Sequence, residues 1–188
     1  HPVAHSFPTR RSSDLPGLQA APGMFSCDRV DPGSALLAQC FDARVMGTVA
    51  DFGAGWGYLS VRLLQQGRPT ALTLVEAHKP SLDQALANVA PWAGPVPVTG
   101  CWLDVGAEPV PGRFDWVVMN PPFHAGRQGE PELGQRFISA AARALGRGGR
   151  LLMVANRHLP YERTLDAHFA RSQPLASESG YKVIEAQI

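Results

Sequence analysis

Asp51-Phe52-Gly53-Ala54-Gly55-Trp56-Gly57 constrains the fold of this chain more than any other stretch. It lies between a strand-like run at residues 48–52 and a helix-like segment at residues 58–66. Its three alternate glycines let the backbone turn sharply and approach a ligand closely. The alternation continues downstream. Residues 70–75 read as a second strand, and Ser81 can cap a helix that runs to about Ala90 and is broken by Pro91. A weaker third strand, residues 96–103, is interrupted by Pro97 and Gly100. Residues 114–119 form the fourth strand, and a helix over residues 130–145 ends at Gly146-Arg147-Gly148-Gly149, where a glycine can take the left-handed cap. Residues 150–155 make the fifth strand, followed by a helix near residues 161–169 and an extended end at residues 181–186. Upstream, Asp31-Pro32-Gly33-Ser34 leads a loop into a capped helix. Strands alternating with helices in this way predict an α/β domain on a parallel sheet.

The 188 residues, 45% of them hydrophobic, suffice for one domain with an ordinary core. No apolar run is long enough to span a bilayer, so no membrane partner is expected. Cys27, Cys40 and Cys101 are odd in number and widely separated. They predict inert thiols in a reducing, cytoplasmic compartment rather than a disulfide framework or a metal knuckle. The histidines show no ligand spacing either, and no metal is expected. Residues 5–15, His-Ser-Phe-Pro-Thr-Arg-Arg-Ser-Ser-Asp-Leu, read as a translated sequencing adapter. Residues 1–15 are accordingly expected to be an artefact without order, with the domain occupying residues 16–188. Without Arg10, Arg11 and Asp14 the 17 basic and 16 acidic residues balance. Any nucleic-acid surface must then be local or supplied by sequence missing from this chain.

The glycine run sits where open α/β sheets bind ligands, beyond the carboxyl ends of the strands. Its GxGxG spacing departs from the dinucleotide fingerprint, and no GK[ST] follows to cradle phosphate. Asp51 instead offers a carboxylate for an ammonium group. Glu76, directly after the second strand, stands at the separation from Asp51 at which a carboxylate meets both hydroxyls of an adenosine ribose. Asp104 ends the third strand, where it either accepts an adenine amino group or simply forms a turn.

Asn120-Pro121-Pro122-Phe123-His124, directly after the fourth strand, suggests the acceptor. An amine conjugated to a planar ring is a poor nucleophile because its lone pair is delocalised. The Asn120 side-chain carbonyl and the Pro121 main-chain carbonyl can each accept one N–H, turning the lone pair towards an electrophilic methyl. Phe123 can stack on the base. In isolation the same residues would make a Pro-Pro turn. His124 could take a proton or touch RNA, but no general base is demanded. Arg147, Arg150 and Arg157 could contact phosphate, although scattered surface arginine is the commoner explanation.

With these residues in place, the chain resembles the class I S-adenosyl-L-methionine-dependent methyltransferases. More closely, it is similar to the catalytic domain of the ribosomal RNA small-subunit methyltransferase C family. The resemblance rests on Gly23-Met24-Phe25-Ser26, Asp31 to Leu37, the glycine loop, Gly112-Arg113-Phe114-Asp115, Asn120 to His124, and Ala155-Asn156 with Leu159-Pro160-Tyr161. It implies a Rossmann-like, seven-stranded, mostly parallel sheet with an antiparallel last strand. It also implies methyl transfer from S-adenosyl-L-methionine to guanine N2 in 16S rRNA or the small ribosomal subunit. Asp51, Gly53, Ala54 and Gly55 would then hold the methionine moiety, Glu76 the ribose and Asp104 the adenine. Gly33 and Ser34, with Phe25, would help close the cofactor site. Asn120, Pro121 and Phe123 would carry the reaction, Asn120 also bordering the cofactor, while Pro122, Phe123 and His124 meet the substrate. The family carries a degenerate domain before the catalytic one, so this chain reads as the catalytic half of a longer protein. Methylation of adenine N6 or of a protein glutamine amide, and a noncatalytic RNA-binding module, are the alternatives.

Overall fold

The computed structural model describes residues 10–11, 17–20, 24, 29–122 and 131–188. Strands β1 (Arg10–Arg11) and β2 (Gln19–Ala20) pair antiparallel as a short ribbon. The rest of the region expected to be an artefact, Phe25, and the stretch that holds Phe123 and His124 lie outside the described residues.

The domain is then built from α1 (Pro32–Gln39), β3 (Met46–Phe52), α2 (Tyr58–Gln66), β4 (Arg68–Glu76), α3 (Lys79–Ala93) and β5 (Val98–Trp102). It continues through β6 (Phe114–Met119), α4 (Pro131–Ala144), β7 (Leu145–Asn156), α5 (Glu162–His168), β8 (Arg171–Glu178) and β9 (Tyr181–Gln187). Seven strands form one sheet in the order β5-β4-β3-β6-β7-β9-β8. Strands β3 to β7 are mutually parallel where they pair, and β9 runs antiparallel between β7 and β8. The ends of the central strands are apolar without alternation, as in Val117-Val118-Met119 and Leu151-Leu152-Met153-Val154. All seven of these side chains are buried. That pattern belongs to a sheet covered on both faces. One face packs against α1, α2 and α3 through Leu37, Val61 and Leu82, and the other against α4 and α5 through Ile138 and Leu165.

Four local expectations are corrected. Helix α3 begins at Lys79, not at a Ser81 cap, and Ser81 Oγ instead meets His78 Nδ1 at 2.8 Å. It also runs through Pro91, because the missing N–H falls in its last turn, where a single lost bond does not end a packed helix. The glycine cluster after α4 caps nothing. The chain passes straight into β7 at Leu145, and Gly146 to Gly149 form a bulge that shifts the register between Phe114 and Trp116 on β6. The third strand is shorter than expected, yet Gly100 belongs inside it. A Cβ there would come within 2.8 Å of Leu86 Cδ1, so the glycine lets α3 lie close on this edge. Strand β8 was not anticipated, because it is a largely exposed edge strand containing Pro174 and has no apolar alternation.

Candidate functional site

The carboxyl ends of β3, β4, β6 and β7 open onto a cavity of ≈ 630 Å3. This is the size of a small-molecule site. Its floor is the loop after β3, where Gly53, Gly55 and Gly57 all have positive φ, at 73°, 55° and 93°. Gly55 faces open space, so only its backbone borders the cavity. A side chain there would sit in a strained conformation and project into the open. Ala54 faces the core, and its N–H donates to Val75 O.

Glu76 lines the cavity at the end of β4, and both of its oxygens are anchored by backbone donors. Gly55 N donates to Oε2 and His78 N to Oε1, each at 2.9 Å. Each oxygen keeps a second lone pair for a ligand hydroxyl. Asp104 also lines the cavity, and it makes the turn that the sequence allows, its Oδ1 accepting from Gly106 N at 2.8 Å. Its other oxygen accepts no hydrogen bond among the described residues.

Asp51 is placed differently. It is fully buried in β3 beneath the glycine loop, where Oδ2 accepts from Ser60 Oγ at 2.7 Å. Its Oδ1 finds no partner among the described residues. Burial, reinforced by the Glu76 charge, pushes its pKa up to about 7 against the Ser60 hydrogen bond that lowers it.

Asn120 lines the cavity at the end of β6, next to the glycine loop at the end of β3 and beside the buried Pro121 and the exposed Pro122. Its Nδ2 donates to Asp31 Oδ2 at 2.8 Å and to Ser34 Oγ at 2.9 Å. Ser34 therefore backs Asn120 from behind, and Gly33 packs under the Tyr181 ring, where a Cβ would meet ring carbons at 2.8 and 2.9 Å. The wall is completed by Asn156 from β7, Tyr161 before α5 and Tyr181 at the start of β9. Burial raises the pKa of the Tyr161 phenol.

Asp31 and Tyr181 have no signal in the sequence beyond a helix cap and a strand start. Asp31 reaches its partner across 89 residues, a separation no local pattern reveals. Of the three arginines considered for phosphate, Arg150 is occupied: it pairs with Glu185 at 2.8 Å and lies 5.7 Å over the Trp116 ring. Arg147 borders hollows at the amino ends of the strands, away from the cavity. Arg157 is exposed next to the cavity-lining Asn156. Among the described residues no group of three or more metal-ligating side chains converges, and no helix is long and apolar enough to cross a membrane.

The sheet order with its inverted β9 is that of the class I methyltransferase fold. Similar chains agree. Ribosomal RNA small subunit methyltransferase C of Sodalis glossinidius is 39% identical over 90% of this chain and 47% of its own length. The protein of that name from Enterobacter sp. is 38% identical over 88% of this chain and 48% of its own. Among solved structures, T. thermophilus 16S rRNA N2 G1207 methyltransferase (RsmC), in complex with AdoMet and guanosine, superposes with a TM-score of 0.77 at 31% identity. It covers 95% of this chain and 49% of its own. This chain thus spans about half the length of these relatives. The model of the methyltransferase small domain family matches residues 17–185. With that match over nearly its whole length, and a sheet wound in the order the fold requires, the chain belongs to the methyltransferase small domain family.

Proposed function

We propose that this domain transfers a methyl group from S-adenosyl-L-methionine to the exocyclic N2 of a guanine in 16S rRNA, free or within the small ribosomal subunit. The observation that carries the proposal is the Asn120 carboxamide. Its amino end is tied to Asp31 and Ser34, which leaves its carbonyl as the end available in the cavity that Glu76 and the glycine loop also line. The resemblance to relatives named for 16S rRNA methylation supports the choice of acceptor.

The residues present fit the cofactor. Gly55 leaves room for close approach, Glu76 offers two anchored acceptors, and Asp51, buried beneath the loop with an Oδ1 that has no partner among the described residues, is the carboxylate that would meet the ammonium group. When bound, S-adenosyl-L-methionine supplies an electrophilic methyl on a sulfonium. The protein's part is alignment. Asn120 Oδ1 accepts one N–H of the guanine amine and the Pro121 carbonyl accepts the other, so the nitrogen lone pair leaves conjugation and points across the cavity. Pro122, Phe123 and His124 border the base, which must leave its stack to reach them. Rate comes mainly from holding nitrogen, methyl and sulfur in line. The methylated amine is acidic enough to lose its proton to water, so no basic side chain is required.

Tritiated S-adenosyl-L-methionine offered with small-subunit particles, naked 16S rRNA and a peptide release factor tests the reading. Label is expected in RNA and, after digestion, in N2-methylguanosine. Label confined to protein, or found in N6-methyladenosine, would overturn it.

A further inference from the structure

The structure assigns to Asp31 the role of positioning residue for methyl transfer: its carboxylate fixes the Asn120 carboxamide with the carbonyl facing the acceptor amine. This rests on the proposed role of Asn120 and goes one step behind it. A carboxamide is nearly symmetric in shape but opposite in chemistry at its two ends. Turned over, Asn120 would present N–H groups to an amine that must donate, and the lone pair would stay in the ring. Something has to select one orientation.

Asp31 supplies that selection. An ionised carboxylate only accepts hydrogen bonds, so a partner 2.8 Å from Asp31 Oδ2 must be the Nδ2 end of Asn120. Ser34 Oγ, 2.9 Å from the same nitrogen, takes its second proton. Both Nδ2 protons are then used, and the carbonyl is the end left for the cavity. A carboxylate accepting from an amide also draws electron density towards the carbonyl oxygen, which strengthens Asn120 Oδ1 as an acceptor.

The same Asp31 Oδ2 also accepts from Ser34 N at 2.8 Å and thereby caps α1. A purely structural role in that cap is the competing explanation, and the two separate by substitution. Asp31→Ser keeps a good cap but is too short to reach Asn120. Asp31→Asn keeps an acceptor oxygen within reach but loses the charge. Ser34→Ala removes only the second acceptor.

With 16S rRNA as substrate, Asp31→Ser is expected to lower kcat by about 10–100-fold while KM and the dissociation constant for S-adenosylhomocysteine stay within about 3-fold. Asp31→Asn is expected to recover most of the lost rate, and Ser34→Ala to lose about 3-fold. A readout free of turnover comes from 15N–1H spectra of the asparagine-labelled protein. There the Asn120 carboxamide pair, recognised by its absence in Asn120→Ala, is expected to resist solvent exchange in the wild type and to lose that protection in Asp31→Ser.

If Asn120→Ala is inactive but Asp31→Ser keeps its rate and its protected carboxamide, the positioning role is overturned and the Asn120 reading stands. If Asn120→Ala remains active, both fall. Where Asp31→Ser does not fold, Asp31→Gly, which also leaves a tolerated N-cap but no acceptor for Asn120, takes its place: an unchanged rate and an unchanged, protected carboxamide in that variant overturn the proposal.

Discussion

Two side chains in this domain carry opposite lessons about polar groups near a ligand. Asn120 is held through its amino end by the acceptors Asp31 and Ser34, with its carbonyl uncommitted, so its substitution should strike the reaction rather than the fold. Asn120→Ala is expected to abolish transfer in the tritium assay while leaving S-adenosylhomocysteine affinity within about 3-fold, as measured by calorimetry. Asp51 is held in a place that disfavours its charge. Its pKa is raised from 3.8 to about 7. Between those values the folded protein keeps a proton that the unfolded chain has lost, so this group's contribution to stability falls as pH rises through that window. An ammonium brought beside it reverses the preference and expels the proton. Calorimetric titration with S-adenosyl-L-methionine at about pH 6.5 should therefore give heats that depend on the buffer's ionisation enthalpy, with release of up to about one proton. The dependence should vanish in Asp51→Asn. Heats that are independent of the buffer in the wild type would contradict an ammonium at this carboxylate.

At the scale of elements, the glycine loop was legible because its requirement is local. Three alternate glycines after an apolar run leave little else for the backbone to do, and all three adopt the left-handed region. Gly57 adds a requirement that only packing shows: a Cβ there would lie 3.1 Å from backbone atoms of Ala85, where α2 crosses α3. Gly57→Ala combines backbone strain with overpacking and should cost about 2–4 kcal/mol, measurable by urea unfolding. The parallel strands were legible for a similar reason, their short β-branched or apolar stretches at residues 48–52, 70–75 and 114–119. What was not legible depended on distant partners. Gly146 to Gly149 looked like a helix stop, because a bulge opposite β6 leaves no local mark that differs from a cap. Strand β8 owes its form to β9 rather than to its own composition. Glu76 and Asn120 were found from their place at strand ends, whereas Asp31 passed for an ordinary cap because its second bond closes a contact across most of the domain.

At the scale of the whole molecule, the site is shared by the ends of strands that form the centre of one sheet, so occupancy should be felt globally. S-adenosylhomocysteine at about 100 times its dissociation constant is expected to add about 2.7 kcal/mol, or roughly 5–10 °C in Tm, to a single unfolding transition. A differential scanning measurement in which only part of the transition shifts would show that the site belongs to a separately melting unit. The inversion of β9 has a consequence of another kind. Because that strand runs against its neighbours, its beginning rather than its end stands beside the cavity, and the turn Ser179-Gly180 delivers Tyr181 there. Both turn residues have positive φ, at 50° and 83°, and Arg157 N ties the turn to the end of β7 through Gly180 O at 2.7 Å. That hairpin is therefore a place where chain length can change next to the cavity without passing through the parallel half of the sheet. Under the proposed methyl transfer, grafting longer β8–β9 turns is the natural way to alter what the domain accepts without changing the glycine loop or Glu76.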